Sequence, residues 1–282
     1  YSSLIFYNNT QTNYHLMMKN KIKYSSLIIS IFILISFGQG CQKNPATGDS
    51  EFNLLSESEE EAIGRSEHQK IVKQFGGEYQ NTKLKNYVES LGNFLVSTSE
   101  LSDKKFTFTI LDTPIINAFA LPGGFVYLTR GLIYLCQNEA QLAGVIAHEI
   151  GHITARHSAR RYTKSVGTGV LLQILNVFSQ NNFVNNLLGQ SAQLYLLSYS
   201  RSQEYQADQL AVRYMIRAGF DAKEMANFLR IMEEYAEVQR EILKIKNKVS
   251  ELLKTHPNSS KRVQEVIENY KGKTQLLSLI HI

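Results

Sequence analysis

The chain has 282 residues, enough for one sizeable domain with a leader or for two small domains. Apolar residues make up 43% and charged residues 20%, which excludes disorder as a global description. The net charge is +5, but Lys19, Lys21 and Lys23 supply three of those charges in a leader without acidic residues. The rest carries no basic run to mark a nucleic-acid partner.

Residues 1–17 read as translated upstream sequence before a start at Met17 or Met18. Residues 18–40 read as a signal peptide of lipoprotein type: a lysine-rich start, an apolar stretch from Leu27 to Phe37, and small residues before Cys41. The apolar stretch is short for a membrane span. Cys41 stands where a bacterial lipoprotein carries its acylated cysteine, although Gly38 occupies the position where leucine is usual. Lipidation at Cys41 is the expectation, with simple signal cleavage or a retained anchor as alternatives. Cys136 is then left without a disulfide partner and reads as a small buried apolar residue.

Residues 41–276 are expected to form one domain, and 277–282 (LSLIHI) resemble translated sequencing-adapter sequence. Ser56 followed by Glu59 is a capping box that starts a first helix. Leu84, Tyr87, Val88, Leu91 and Leu95 have the spacing of a second. The period then changes: Phe106, Phe108 and Ile110 alternate as in a half-buried strand. Two short strands follow around Pro122-Gly123-Gly124. From Asn138 the pattern is helical almost throughout. Asn138 caps a helix expected to run to about Ala159, residues 165–179 form a very apolar stretch, and three more helices follow. The fold class is therefore α+β, a small sheet packed into a mostly helical domain.

Within the helix that Asn138 caps lies HEIGH, residues 148–152. Positions i and i+4 fall on one face, so His148 and His152 present two imidazoles to one point. Glu149 lies about 100° around, able to reach a metal-activated water without ligating the metal. Two neutral nitrogen ligands and a nearby carboxylate are the equipment of a zinc peptidase. Leu142, Val145, Ile146, Ile150 and Ile153 surround them, so the helix is buried. Gly144 and Gly151 weaken it and point to close approach of a neighbour. A third ligand at 158 is excluded, because Ala155 and Ser158 stand where that pattern needs glycine and histidine; His157 is out of register and reads as solvent-facing or structural. Downstream, Glu204 and Asp208 share a helical face. Glu204 completes a two-histidine, one-glutamate site, and Asp208 can accept a hydrogen bond from the outer nitrogen of a ligating histidine.

HEIGH, the later SRSQEYQAD and the earlier NAFALPGGFVYLTRGL together resemble the HtpX-like and CAAX-prenyl-protease-like zinc metallopeptidases. With NPATGDSEFNLLS after the leader, the chain is similar to their periplasmic lipoprotein branch, which includes LoiP and BepA. The resemblance covers roughly Asn44 to Tyr270. It implies a gluzincin-type fold, one Zn²⁺ per chain, and endopeptidase activity toward unfolded or misassembled envelope polypeptides. It further implies a location on the periplasmic side of the bacterial envelope, held to a membrane by the lipid anchor. On the same grounds Phe125, Val126 and Tyr127 are expected on an edge strand bordering the cleft, with Asn117, Gly123 and Gly124 shaping it. His256, in the family's His-Pro-then-Arg segment, is expected near the active site. It could stabilise an oxyanion, take the fourth metal position as a latch, or merely pack. The alternative function is a non-catalytic, zinc-containing envelope chaperone or binding protein on the same fold.

Overall fold

The computed structural model describes residues 41–164, 199–243, 256 and 260–280. The leader, residues 165–198 with the apolar stretch at 165–179, and residues 244–255 and 257–259 lie outside the described residues. The chain divides into two units. In the smaller, β1 (Cys41–Lys43) and β2 (Ser50–Phe52) pair antiparallel, Cys41 opposite Phe52.

The larger unit begins with α1 (Glu57–Gln74). Its capping box forms as the sequence requires: Ser56 Oγ accepts from the Glu59 amide while Glu59 accepts from the Ser56 amide. Then α2 (Thr82–Ser97), capped by Asn81, buries Val88, Leu91 and Leu95. Three strands follow, β3 (Thr107–Leu111), β4 (Ala118–Leu121) and β5 (Phe125–Thr129), with α3 (Arg130–Leu135) continuing from the last. The remaining helices are α4 (Glu139–Thr154), α5 (Arg201–Arg217), α6 (Lys223–Leu243) and α7 (Ser260–Ile280). The α+β class is as expected. No helix among the described residues is long and apolar enough to cross a membrane.

The sheet order is β3-β5-β4, which corrects the sequence reading of the edge. β5 is central, parallel to β3 and antiparallel to β4. The backbone groups of Phe125, Val126 and Tyr127 are therefore engaged in ladders on both sides, so no added peptide can pair with them. Apolar alternation cannot separate a central from an edge strand; ladder order decides it. The outer strand lying against α4 is β4, whose other edge has no strand partner among the described residues. Gly123 and Gly124 (φ 81° and 90°) make the β4–β5 turn, where a side chain would strike the backbone of Glu61 and of Lys105. They border a separate cavity of about 400 Å³ with Glu60 and Arg156, so their role is in the turn and not in shaping the cleft beside HEIGH.

A second difference concerns β3, which is covered on both faces. Phe108 and Ile110 join the main core, while Leu111 packs with Phe119 and Tyr127 under Ile71 and Val72 of α1 and Phe75, which caps that helix. Helix α1 supplies that cover, which a strand's own alternation does not announce.

Helices α4 and α5 form the closest pair. Gly151 makes this possible: a Cβ there would sit 3.0 Å from the Ala207 carbonyl and 3.2 Å from Leu210 Cβ. The expectation that HEIGH's glycine marks a close neighbour is met, and the neighbour is the helix that carries Glu204 and Asp208.

Candidate metal centre

Helix α4 starts where Asn138 caps it, the side chain accepting from the Gln141 amide. It does not continue to Ala159. It stops at Thr154, Arg156 adopts left-handed backbone (φ 52°), and the chain is helical again over 157–164. Arg156 is buried, held by its bonds to Glu60 and by a 2.8 Å bond to the Leu55 carbonyl. The sharp turn brings His157 back toward α4. That return has chemical consequences.

His148 and His152 point their Nε2 atoms at each other, 3.0 Å apart. Glu204, on the facing side of α5, places its carboxylate oxygens 3.5 Å from each ring. His256 adds Nδ1, 3.1 Å from Glu204 Oε1 and 3.3 Å from His148 Nε2. One donor atom from each of these four buried residues lies within 4.8 Å of every other.

The hydrogen bonds behind the donors fix where the protons are. Gln206 Oε1 accepts from Arg160 at 3.3 Å and from His157 Nε2 at 3.0 Å. Burial pushes the His157 pKa down to about 4, so the ring is neutral and its Nδ1 is an acceptor. The His152 Nδ1–H, 2.8 Å away, donates to it, which leaves the His152 Nε2 lone pair facing the cluster. On the other ring, His148 Nδ1 lies 2.9 Å from Asp208 Oδ1, close but off the line of a straight hydrogen bond. That contact holds the His148 proton on the outer nitrogen as well. Two nitrogens 3.0 Å apart beside a carboxylate share a cation, a proton in the free protein or a metal ion in its place. The donor set of two imidazole nitrogens and a carboxylate fits zinc.

The local charge favours a cation in the same place. Burial acts against protonation of His148, but the hydrogen bonds and charges of Asp208 and Glu204 outweigh it and raise its pKa to about 9. Burial lowers His152 well below the usual histidine range. Glu204 and Asp208 keep their charge despite burial. Interactions with Arg262 and with the neighbouring histidines hold Glu204 well below the usual carboxylate range, and Arg262 chiefly does the same for Asp208. Arg262, on the first turn of α7, spans both carboxylates: Nη1 lies 2.8 Å from Glu204 Oε2, Nη2 2.7 Å from Asp208 Oδ1, and Nε 2.8 Å from Asp208 Oδ2. Two buried carboxylates against one guanidinium call for further positive charge, which a protonated His148 supplies until a metal ion takes its place.

Glu149 stands apart from the four donors. It is fully buried, its pKa raised by desolvation, and its Oε2 has no hydrogen-bond partner among the described residues. Its Oε1 is 3.5 Å from His256 Nε2. A buried carboxylate beside a metal donor set, with an oxygen uncommitted, is placed to exchange a proton with a water or an amine.

A family model described as Peptidase family M48 matches residues 82–269, a span holding the sheet and all four donors. The chain belongs to peptidase family M48. Similar proteins include the mitochondrial metalloendopeptidase OMA1 of Schizosaccharomyces pombe, 30% identical over 79% of this chain and 65% of that protein. The β-barrel assembly-enhancing proteases of Yersinia pestis (35% identical, 64% of this chain and 38% of theirs) and Escherichia coli K12 (31%, 82% and 47%) are also similar. The chain thus spans between about two fifths and two thirds of the length of these relatives. The metallopeptidase class read from the motifs is borne out by this membership, and the His/Glu cluster fits a zinc site.

Among the sequence-derived candidates, the structure brings His148, His152, Glu204, Asp208, Glu149 and His256 together. Asn117 directly precedes β4, its backbone tied to Thr129. Cys41 lies in the smaller unit. Sequence reasoning passed over Tyr199, whose ring stacks on His152 at 3.6 Å with Arg161 over it at 3.9 Å. It also left His157 and Gln206 without a part in the site.

Proposed function

We propose that this M48 chain is a zinc-dependent endopeptidase of the bacterial cell envelope that cleaves unfolded or misassembled envelope proteins, with Glu149 as general base. The observation that carries the reading is the cluster of inward-facing nitrogen and carboxylate donors beside Glu149. His148, His152 and Glu204 would hold one Zn²⁺, which supplies a Lewis acid that acidifies water and polarises a carbonyl. Glu149 takes the proton from water and passes it to the departing amine; its raised pKa suits both steps. Asp208 and His157 orient the two histidines from behind, and Arg262 keeps Glu204 and Asp208 ionised. The substrate backbone adds to the outer edge of β4, beginning near Asn117.

The envelope assignment rests on the signal-like leader and on relatives whose name refers to β-barrel assembly. Periplasmic location and lipid attachment at Cys41 belong to the same proposal, on sequence grounds alone.

For His256, the approach of Nδ1 to Glu204 and His148 supports the latch role, in which the ring occupies the fourth ligand position and competes with water. Replacing it by alanine is expected to raise basal proteolysis at unchanged zinc content. A fall of about 10²–10³-fold would assign an oxyanion role instead.

The deciding test compares casein degradation and zinc content of wild type and Glu149→Gln. The variant is expected to keep about one zinc per chain and to lose nearly all cleavage. Zinc in both proteins with cleavage in neither would favour the non-catalytic chaperone, and equal cleavage by both would remove Glu149 from the mechanism.

A further inference from the structure

Tyr199 stands directly before Ser200, the residue that caps α5, and is only 5% exposed. Its ring lies flat against the imidazole of His152, with centroids 3.6 Å apart and planes 20° from parallel. The guanidinium carbon of Arg161 is 3.9 Å from the centre of the same tyrosine ring. Two groups that close to one ring centre cannot share a face. The tyrosine is therefore held between them, a cation on one side and His152 on the other. Its hydroxyl is 3.4 Å from Ser158 Oγ, which also accepts from Arg161 Nη2 at 3.3 Å. Ser158 and Arg161 both belong to the segment that follows the break at Arg156, so that segment grips Tyr199.

We propose that Tyr199 is a positioning residue, whose ring face sets the plane of the His152 imidazole and so the direction in which its Nε2 meets a metal ion. The inference rests on His152 being a metal ligand. His157 holds His152 by one hydrogen bond, at Nδ1. A single bond tethers one edge of a ring and lets the ring tilt about that tether, since hydrogen-bond angles are tolerant. A flat neighbour at van der Waals distance removes the tilt toward its own side. His148 confines the ring further, standing nearly perpendicular to it (83°) with centroids 4.6 Å apart. A ligand nitrogen that tilts away from the ion binds it less well, so the ring plane matters to affinity as well as the tautomer does. An aliphatic side chain at 199 would fill space but offer no flat face.

The test uses the full chain loaded with zinc and, in parallel, with Co²⁺, whose visible absorption reports ligand geometry where zinc, with its filled d shell, is silent. Tyr199→Leu is expected to bind zinc about 10–100-fold more weakly, read by competition with a chromogenic chelator. Its cobalt absorption should differ from that of the wild type in position or intensity. Tyr199→Phe keeps the ring and loses only the hydroxyl, so it should match the wild type in both readouts. A tyrosine that merely fills the core behaves otherwise. Tyr199→Leu would then lower the Tm of the metal-free protein but leave zinc affinity and the cobalt spectrum unchanged, and that result overturns the proposal. An equal loss of affinity in Tyr199→Phe and Tyr199→Leu overturns it too, because the hydroxyl and not the ring face would be responsible. If Tyr199→Leu does not fold, Tyr199→Met, longer and more adaptable, is judged by the same outcomes. A wild type that binds neither zinc nor cobalt overturns the metal centre itself, and the role of Tyr199 with it.

Discussion

His157 lies outside the four-residue donor set, yet it would orient one of the candidate ligands. Its Nδ1 accepts the proton of His152, and its own proton goes to Gln206, so the tautomer of His152 is set by two side chains outside the donor set. His157→Leu removes the acceptor and is expected to weaken zinc binding about 10–100-fold, read by competition with a chromogenic chelator. His157→Asn places an oxygen near the lost Nδ1 and should recover most of that affinity. If leucine and asparagine variants bind zinc equally, the relay has no part in the site. The sequence showed His148, Glu149 and His152 because helical spacing is local arithmetic, and Glu204 with Asp208 for the same reason. It hid His157. On a continuous helix, residue 157 would lie about 140° from residue 152, facing away. Only the break at Arg156 returns it, and a break is not written in spacing.

The break itself depends on a contact between elements. Arg156 holds left-handed backbone, an uncommon state for a residue with a side chain, and its guanidinium is buried against Glu60 of α1. Desolvation raises the Glu60 pKa more than Arg156 lowers it, so the carboxylate depends on its partner to stay charged at all. Arg156→Ala leaves that group unpaired and should cost about 3–5 kcal/mol in urea denaturation. Adding Glu60→Ala should recover part of the loss, because no unpaired charge then remains; strictly additive losses would show that the two residues do not act as a pair. Capping boxes, helix faces and the glycine contact were legible because each is fixed by residues close in sequence. The place of β5 in the sheet was not. Phe125 to Thr129 alternates as any strand does, and only its simultaneous pairing with β3 and β4 makes it central.

At the scale of the molecule, the candidate ligands join separate parts of the chain: His148 and His152 on α4, Glu204 on α5, and His256 just ahead of α7. A metal ion bound there adds its binding energy to the fold. Helices α4 and α5 already share a close-packed core with Ile146, Ile150, Leu210 and Ala211 buried between them, and Arg262 ties α7 to α5 with or without the ion. Removal of zinc should therefore loosen the domain without unfolding it, unlike small zinc fingers, whose fold depends on the metal. With zinc at about 100 times its Kd, the bound ion contributes about 2.7 kcal/mol. For a domain of this size, each kcal/mol moves Tm by about 2–4 °C, so chelation should lower Tm by roughly 5–10 °C. Re-addition of zinc should restore it, while Glu204→Ala should melt at the lower temperature whether or not zinc is present. A Tm of the wild type that ignores chelator and zinc alike would mean that these four residues meet for some purpose other than holding a metal.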